Sequence, residues 1–101
     1  MLGFKRKPAT VGEILTREYL KPYELTQLQL SRLMGVCRKT VHELCVGKRS
    51  ITPVTSLMLA RVFPPSAEFW LDIQQTYNIW TALNDPKTIE KIKKARKATR
   101  K

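Results

Sequence analysis

Acidic side chains are scarce in this 101-residue chain: eight Asp and Glu stand against nineteen Lys and Arg, leaving a formal charge of +11 at pH 7. A surplus of that size favours a polyanionic partner and carries no information about fold. Histidine occurs once, at His42, and cysteine twice. One imidazole at no standard ligand spacing excludes the usual zinc arrangements, and no nucleotide-binding glycine loop is present, so neither metal nor cofactor is expected. Cys37 and Cys45 fall on one expected helix, about 12 Å apart. A disulfide needs alpha-carbons within roughly 7 Å, so these two do not pair there. Cys37, at a helix N-terminus, is either a thiol with some thiolate character or simply a small residue filling a capping position. No apolar run reaches the length of a membrane span, and Met1 to Pro8 lacks a secretory core. A cytoplasmic protein without a membrane partner is therefore expected. Strand-like alternation is absent, as are Asn-Gly and Asp-Gly hairpin turns. Catalytic constellations are missing too: His42 has no obvious nucleophile partner and no paired carboxylates are evident, which argues against an enzyme.

What is present is helical, and it centres on Thr26 to Leu44, TQLQLSRLMGVCRKTVHEL. Thr26 is a good N-cap, and Gln29 three residues later completes a capping box. Leu30, Leu33 and Met34 give the first helix an apolar face. Gly35 stands where a glycine ends a helix in the left-handed conformation, with Val36 buried in the turn. Cys37 opens a second helix whose inner face is Val41 and Leu44. Arg38, Lys39, His42 and Glu43 then point outward. Helix, glycine turn and polar-faced helix form the helix-turn-helix pattern, and the second helix is its DNA reader.

Around this centre the chain predicts one all-α domain of five helices over residues 10–85, between a flexible basic arm (1–9) and a basic tail (86–101). In the arm, Lys5, Arg6 and Lys7 precede Pro8. From Thr10, Val11, Ile14, Leu15 and Tyr19 recur at helical spacing until Lys21-Pro22 stops the helix. Gly47 to Ser50 is a basic loop. Thr52-Pro53 starts a fourth helix in the preferred cap-then-proline order, carrying Val54, Leu57, Met58 and Val62 with Arg61 among them. Pro64-Pro65 breaks the chain, and Ser66 caps a long fifth helix to Asp85. Along it Phe69, Trp70, Ile73, Tyr77 and Trp80 form a broad stripe free of Lys and Arg. Two roles remain open for that stripe: ordinary core, or a homodimer contact that sets two readers about one DNA turn apart, roughly 34 Å. The tail holds eight basic residues and only Glu90 as an acid, +7 of the total. With Ile89 and Ile92 as its only apolar face, a frayed helix followed by disorder is expected.

Each reader residue has a chemical rationale. Arg38 and Lys39, just past the cap, suit guanine acceptors or phosphates in the major groove. A carboxylate on such a helix is repelled by phosphate, so Glu43 either accepts from a cytosine amino group or pairs with Lys39 four residues earlier. Thr26 and Gln27, at the N-terminus of the preceding helix, belong over a phosphate. Lys48 and Arg49 fit a backbone clamp that positions without reading sequence.

These motifs resemble the HigA family of antitoxins, single-domain members of the lambda-repressor-like (Xre) helix-turn-helix group. The resemblance runs from Lys7 to Trp80 and rests on KRKPATVGEILTREYLKP, LTQLQLSRLMGVCRKTVHELCVGKRSIT and SAEFWLDIQQTYNIW. Departures occur at Val11, Cys37, Val46, Pro64-Pro65 and Ala67, where the family usually carries other residues. The resemblance implies a lambda-repressor-like fold and a dimer on double-stranded operator DNA that represses its own operon. It also implies a cognate toxin partner, an mRNA endonuclease of the HigB/RelE type. Gln27, Arg38, Lys39, Thr40 and Glu43 match positions at which relatives in the wider group contact DNA, whereas no toxin-binding residue carries over. A free-standing helix-turn-helix regulator without a toxin is the alternative, and a nonspecific nucleic-acid binder driven by the tail is a third.

Overall fold

Two reciprocal capping boxes fix where the first two helical rods begin. Thr10 Oγ1 accepts from the Glu13 amide at 3.1 Å while Glu13 Oε1 accepts from the Thr10 amide at 3.4 Å. Thr26 and Gln29 exchange the same pair of bonds at 3.1 and 2.8 Å. Each box satisfies amides that a helix start otherwise leaves unpaired. The computed structural model describes residues 6–100. The part of the basic arm at residues 1–5, with Lys5, lies outside the described residues, as does residue 101.

Helix α1 (Val11–Ile14) runs directly into a π-helical segment, Leu15–Leu20. There the amide of Lys21 bonds to Thr16 O, five residues back, at 3.1 Å. One uninterrupted α-helix is the sequence expectation here; with the wider turn Leu15 and Leu20 are buried and Tyr19 packs against the core beside them. Next come α2 (Gln27–Met34), α3 (Arg38–Val46), α4 (Pro53–Val62), α5 (Ala67–Leu83) and α6 (Pro86–Lys94). The described residues contain no strand. Gly35 (φ 75°) and Gly47 (φ 80°) end α2 and α3 in the left-handed region that favours glycine.

The core gathers Leu15, Leu30, Val41, Leu44, Leu59, Phe63 and Trp70. Its hub is aromatic and joins three elements: the Tyr19 ring lies 4.9 Å from that of Phe63 and 5.1 Å from that of Trp70. Several expected inner positions are corrected. On α2, Leu30 and Met34 are buried but Leu33 is 58% exposed. Val36 is half-buried against the core rather than enclosed. On α4 the apolar pattern misleads: Val54 and Leu57 are 63% and 60% exposed, and the enclosed positions are Ser56 and Leu59. Serine tolerates burial there because its hydroxyl donates to Pro53 O at 2.7 Å. Helix α5 ends at Leu83, and Asp85 instead caps α6, accepting from Thr88 Oγ1 at 2.7 Å. Ser66 holds the N-cap position of α5 without a side-chain bond to the helix backbone.

One close approach sets the reader helix on its frame. Gly12 is buried against the C-terminal turn of α3, and a Cβ at that position would lie 2.5 Å from Leu44 O and closer still to Cys45 O. Only a residue without a side chain lets the two backbones meet this closely.

Candidate nucleic-acid interface

The inner face of α3 is apolar, with Val41 and Leu44 buried, while Arg38, Lys39 and His42 are exposed. These three side chains line one open depression on the outer face. Gln27, at the first turn of α2, reaches the same place: its Oε1 lies 3.3 Å from His42 Nδ1. The two helices of the motif are thus linked on the side that carries the donors. Thr26 keeps its hydroxyl occupied in the capping box. Thr40 is half-buried and turns toward the cap, its Oγ1 3.2 Å from Cys37 Sγ.

The pairing with Lys39 expected of Glu43 is not formed. Instead, Arg49 donates to Glu43 Oε1 from Nη2 at 2.7 Å and from Nε at 3.2 Å. Gly47 reverses the chain so that the amides of Lys48 and Arg49 both point at Glu43 O, at 2.9 and 3.3 Å. That reversal brings Arg49 back alongside α3. The Arg49 hydrogen bond, aided by the charges of Arg49, Lys39 and Lys48, holds the Glu43 carboxyl below the usual carboxylate range. Lys48 remains exposed in the loop.

The two thiols diverge. A hydrogen bond from the Thr40 hydroxyl, reinforced by backbone amides at the start of α3, lowers the Cys37 thiol. Burial raises that of Cys45. Cys37 is exposed beside the reader's first turn, and Cys45 is half-buried against the core.

The α5 stripe divides. Trp70 is 0% exposed, wholly inside the protomer, which removes it from the expected subunit contact. Its place is dictated by size: it fills the hub against Tyr19 and packs edge-on to Phe69 at 5.1 Å. Phe69 and Ile73, by contrast, line an open apolar groove with Pro8, Ala9 and Ile14. Tyr77 and Trp80 are half-buried, their rings 6.1 Å apart, and Lys7 Nζ stands 5.8 Å above the Tyr77 ring.

Two supporting residues escape a reading of the sequence. Gln74 of α5 accepts the Ile51 amide at 3.0 Å and donates to Asn78 at 3.0 Å, so α5 holds the end of the loop that carries Lys48 and Arg49. Gly12 is the other; a glycine early in a helix, where it costs stability relative to alanine, is the only sequence signal of its role.

No protein-family model matches the sequence. Individual relatives do. The chain is 37% identical over 87 residues to the helix-turn-helix-type transcriptional regulator YbaQ of Escherichia coli K12, spanning 86% of this chain and 77% of that protein. It is 40% identical over 80 residues to antitoxin HigA-1 of Vibrio cholerae, spanning 79% and 75% of the two chains. A solved structure of the Pseudomonas aeruginosa antitoxin HigA with the higBA promoter superposes with a TM-score of 0.78 at 29% identity, over 89% of this chain and 96% of that one. With its all-helical frame, its glycine-turned helix pair and these likenesses, the chain belongs to the HigA family of helix-turn-helix antitoxins.

Proposed function

We propose that this protein binds double-stranded operator DNA as a homodimer, represses the operon that encodes it, and neutralises a partner toxin, an mRNA endonuclease of the HigB/RelE type. One observation carries the DNA reading: Gln27, Arg38, Lys39 and His42 meet on a single open face at the start of α3. That face offers donors suited to base edges, and the buried Val41 and Leu44 anchor it from behind. Thr26 and the α2 N-terminus lie over a phosphate, while Lys48 and Arg49 follow the backbone. The HigA relative with its promoter supports this assignment.

The dimer reading draws on α5. Phe69 and Ile73 offer an apolar groove, Tyr77 and Trp80 lie further along the same helix, and no cation on α5 opposes a symmetry mate. The likeness to antitoxin HigA-1 supports the toxin-neutralising part of this reading.

Fluorescence anisotropy on the DNA upstream of the gene, against a scrambled duplex, tests the first part. A specificity ratio of roughly 10³ or more is expected at physiological salt; equal affinity for both duplexes overturns it. Co-expression with the neighbouring small open reading frame tests the second. A stable complex that silences the neighbour's RNA cleavage is expected, and a neighbour that neither binds nor is silenced leaves a free-standing regulator.

A further inference from the structure

The cations of this chain are concentrated away from the reader. Residues 86–101 carry +7 of the net +11, which leaves the whole of residues 1–85 with only +4. On the reader side, Arg49 is already paired with Glu43 at 2.7 Å. In the tail, among the described residues, no cation lies within ion-pair distance of a carboxylate.

The tail is also organised. In α6 the spacing of Lys87, Lys91 and Lys94 aligns them on one side of the helix, and Ile89 lies on the opposite side. Ile89 is half-buried and α6 packs on α5, so the lysine row faces outward. Arg96, Lys97 and Arg100 extend it beyond the helix, all exposed. Lysines in the last turn of α6 sit favourably on the helix dipole, so the helix and its charge support each other.

Position makes the row useful. Gln74 and Asn78 of α5 adjoin the loop that carries Lys48 and Arg49, and Ile51 is bonded to Gln74 at 3.0 Å. From Asn78, α5 continues for about 8 Å to Leu83 before α6 begins. The basic row therefore follows directly on the helix that holds the loop assigned to the DNA backbone.

From this charge distribution and placement we propose that Lys87–Arg100 is a second DNA contact, which neutralises phosphates flanking the operator without reading sequence. The proposal rests on the operator-binding reading above. The tail then supplies most of the counterion release, and the reader supplies the base preference.

The test uses the full chain with Lys87→Gln, Lys91→Gln, Lys94→Gln, Arg96→Gln and Lys97→Gln, its helicity checked by circular dichroism. Affinity is measured against salt on operator and scrambled duplexes. The slope of log affinity on log salt should become shallower on both, by roughly 0.9 for every phosphate that is no longer neutralised, while the operator-to-scrambled ratio at fixed salt holds. A companion variant with Lys87→Arg, Lys91→Arg and Lys94→Arg keeps the charge and should keep the wild-type slope. An unchanged slope in the glutamine variant overturns the proposal, including where that variant fails to bind the neighbouring gene product or anionic lipid vesicles instead. Should the wild type show no operator preference while the slopes still differ, the operator reading fails and the tail contact stands.

Discussion

Arg49 grips Glu43 across the glycine turn that ends α3, donating two hydrogen bonds to one carboxylate oxygen at 2.7 and 3.2 Å. The pair neutralises the carboxylate and holds Arg49 against the reader helix. Glu43→Gln should release Arg49 for a phosphate contact. Affinity for scrambled DNA is then expected to rise severalfold with base preference unchanged, as read by anisotropy and operator substitution. Loss of preference at a single C·G pair would assign Glu43 to a cytosine instead. The pair also predicts an acid limb. Because the folded-state pKa is depressed, its stabilisation is present above the unfolded carboxyl value, about 4.3, and is lost as pH falls through the lower folded value. Thermal melts from pH 6 to 3 should lose less stability in Glu43→Gln than in the wild type.

Arg38→Ala should weaken operator binding by about 1–3 kcal/mol and relax preference at one base pair, if its contact is bidentate to a guanine. Equal losses on operator and scrambled duplexes would make it a phosphate contact.

Gly12→Ala should destabilise the fold, because the added methyl meets the carbonyls of Leu44 and Cys45 rather than a movable side chain. Overpacking of this kind costs about 1–3 kcal/mol, and a domain of this length loses roughly 4–8 °C of Tm per kcal/mol. A melt identical to the wild type would show that the two helices part without cost.

The tryptophans separate core from subunit contact. Trp70→Ala should cost about 3–5 kcal/mol and lower Tm sharply. Trp80→Ser should stay helical but sediment as a monomer, with operator affinity collapsing to weak half-site binding. A Trp80→Ser protein that remains dimeric with full affinity would remove Trp80 from the interface.

Thiol chemistry offers a footprint of the reader. With its pKa lowered and its side chain exposed, Cys37 should react with iodoacetamide faster than Cys45, whose pKa burial raises. Operator DNA should protect Cys37, as peptide mass spectrometry would show. Unchanged labelling of Cys37 in the complex would place the start of α3 away from the groove.

Local signals in the sequence are legible because they act within a few residues. The Thr26 capping box, the left-handed Gly35 and the buried Val41 and Leu44 all follow from near-neighbour chemistry. What escapes depends on tertiary closure. Glu43 meets Arg49 rather than Lys39 because Gly47 folds the loop back, a geometry that helical spacing does not contain. The inner face of α4 departs from its apolar pattern because Ser56, its hydroxyl satisfied within its own helix, is buried beside Leu59 while Val54 and Leu57 face outward. The π-helical pitch at Leu15–Leu20 has no signature in a 3.6-residue period. Trp70 and Trp80 look alike in the α5 stripe, and it is the Tyr19 ring, brought in from another helical segment, that packs on the first of them in the core.

The reader helix divides its labour cleanly, with Val41 and Leu44 turned to the core and Arg38, Lys39 and His42 turned away from it. Under the proposed operator reading, outward substitutions leave the buried Val41 and Leu44 in place, so base preference can change while the core is left alone. Under the same reading, a duplicated copy of such a gene would need only outward changes to prefer a different operator. Two such modules can then coexist in one cell on a single unaltered scaffold, each answering only to its own stretch of DNA.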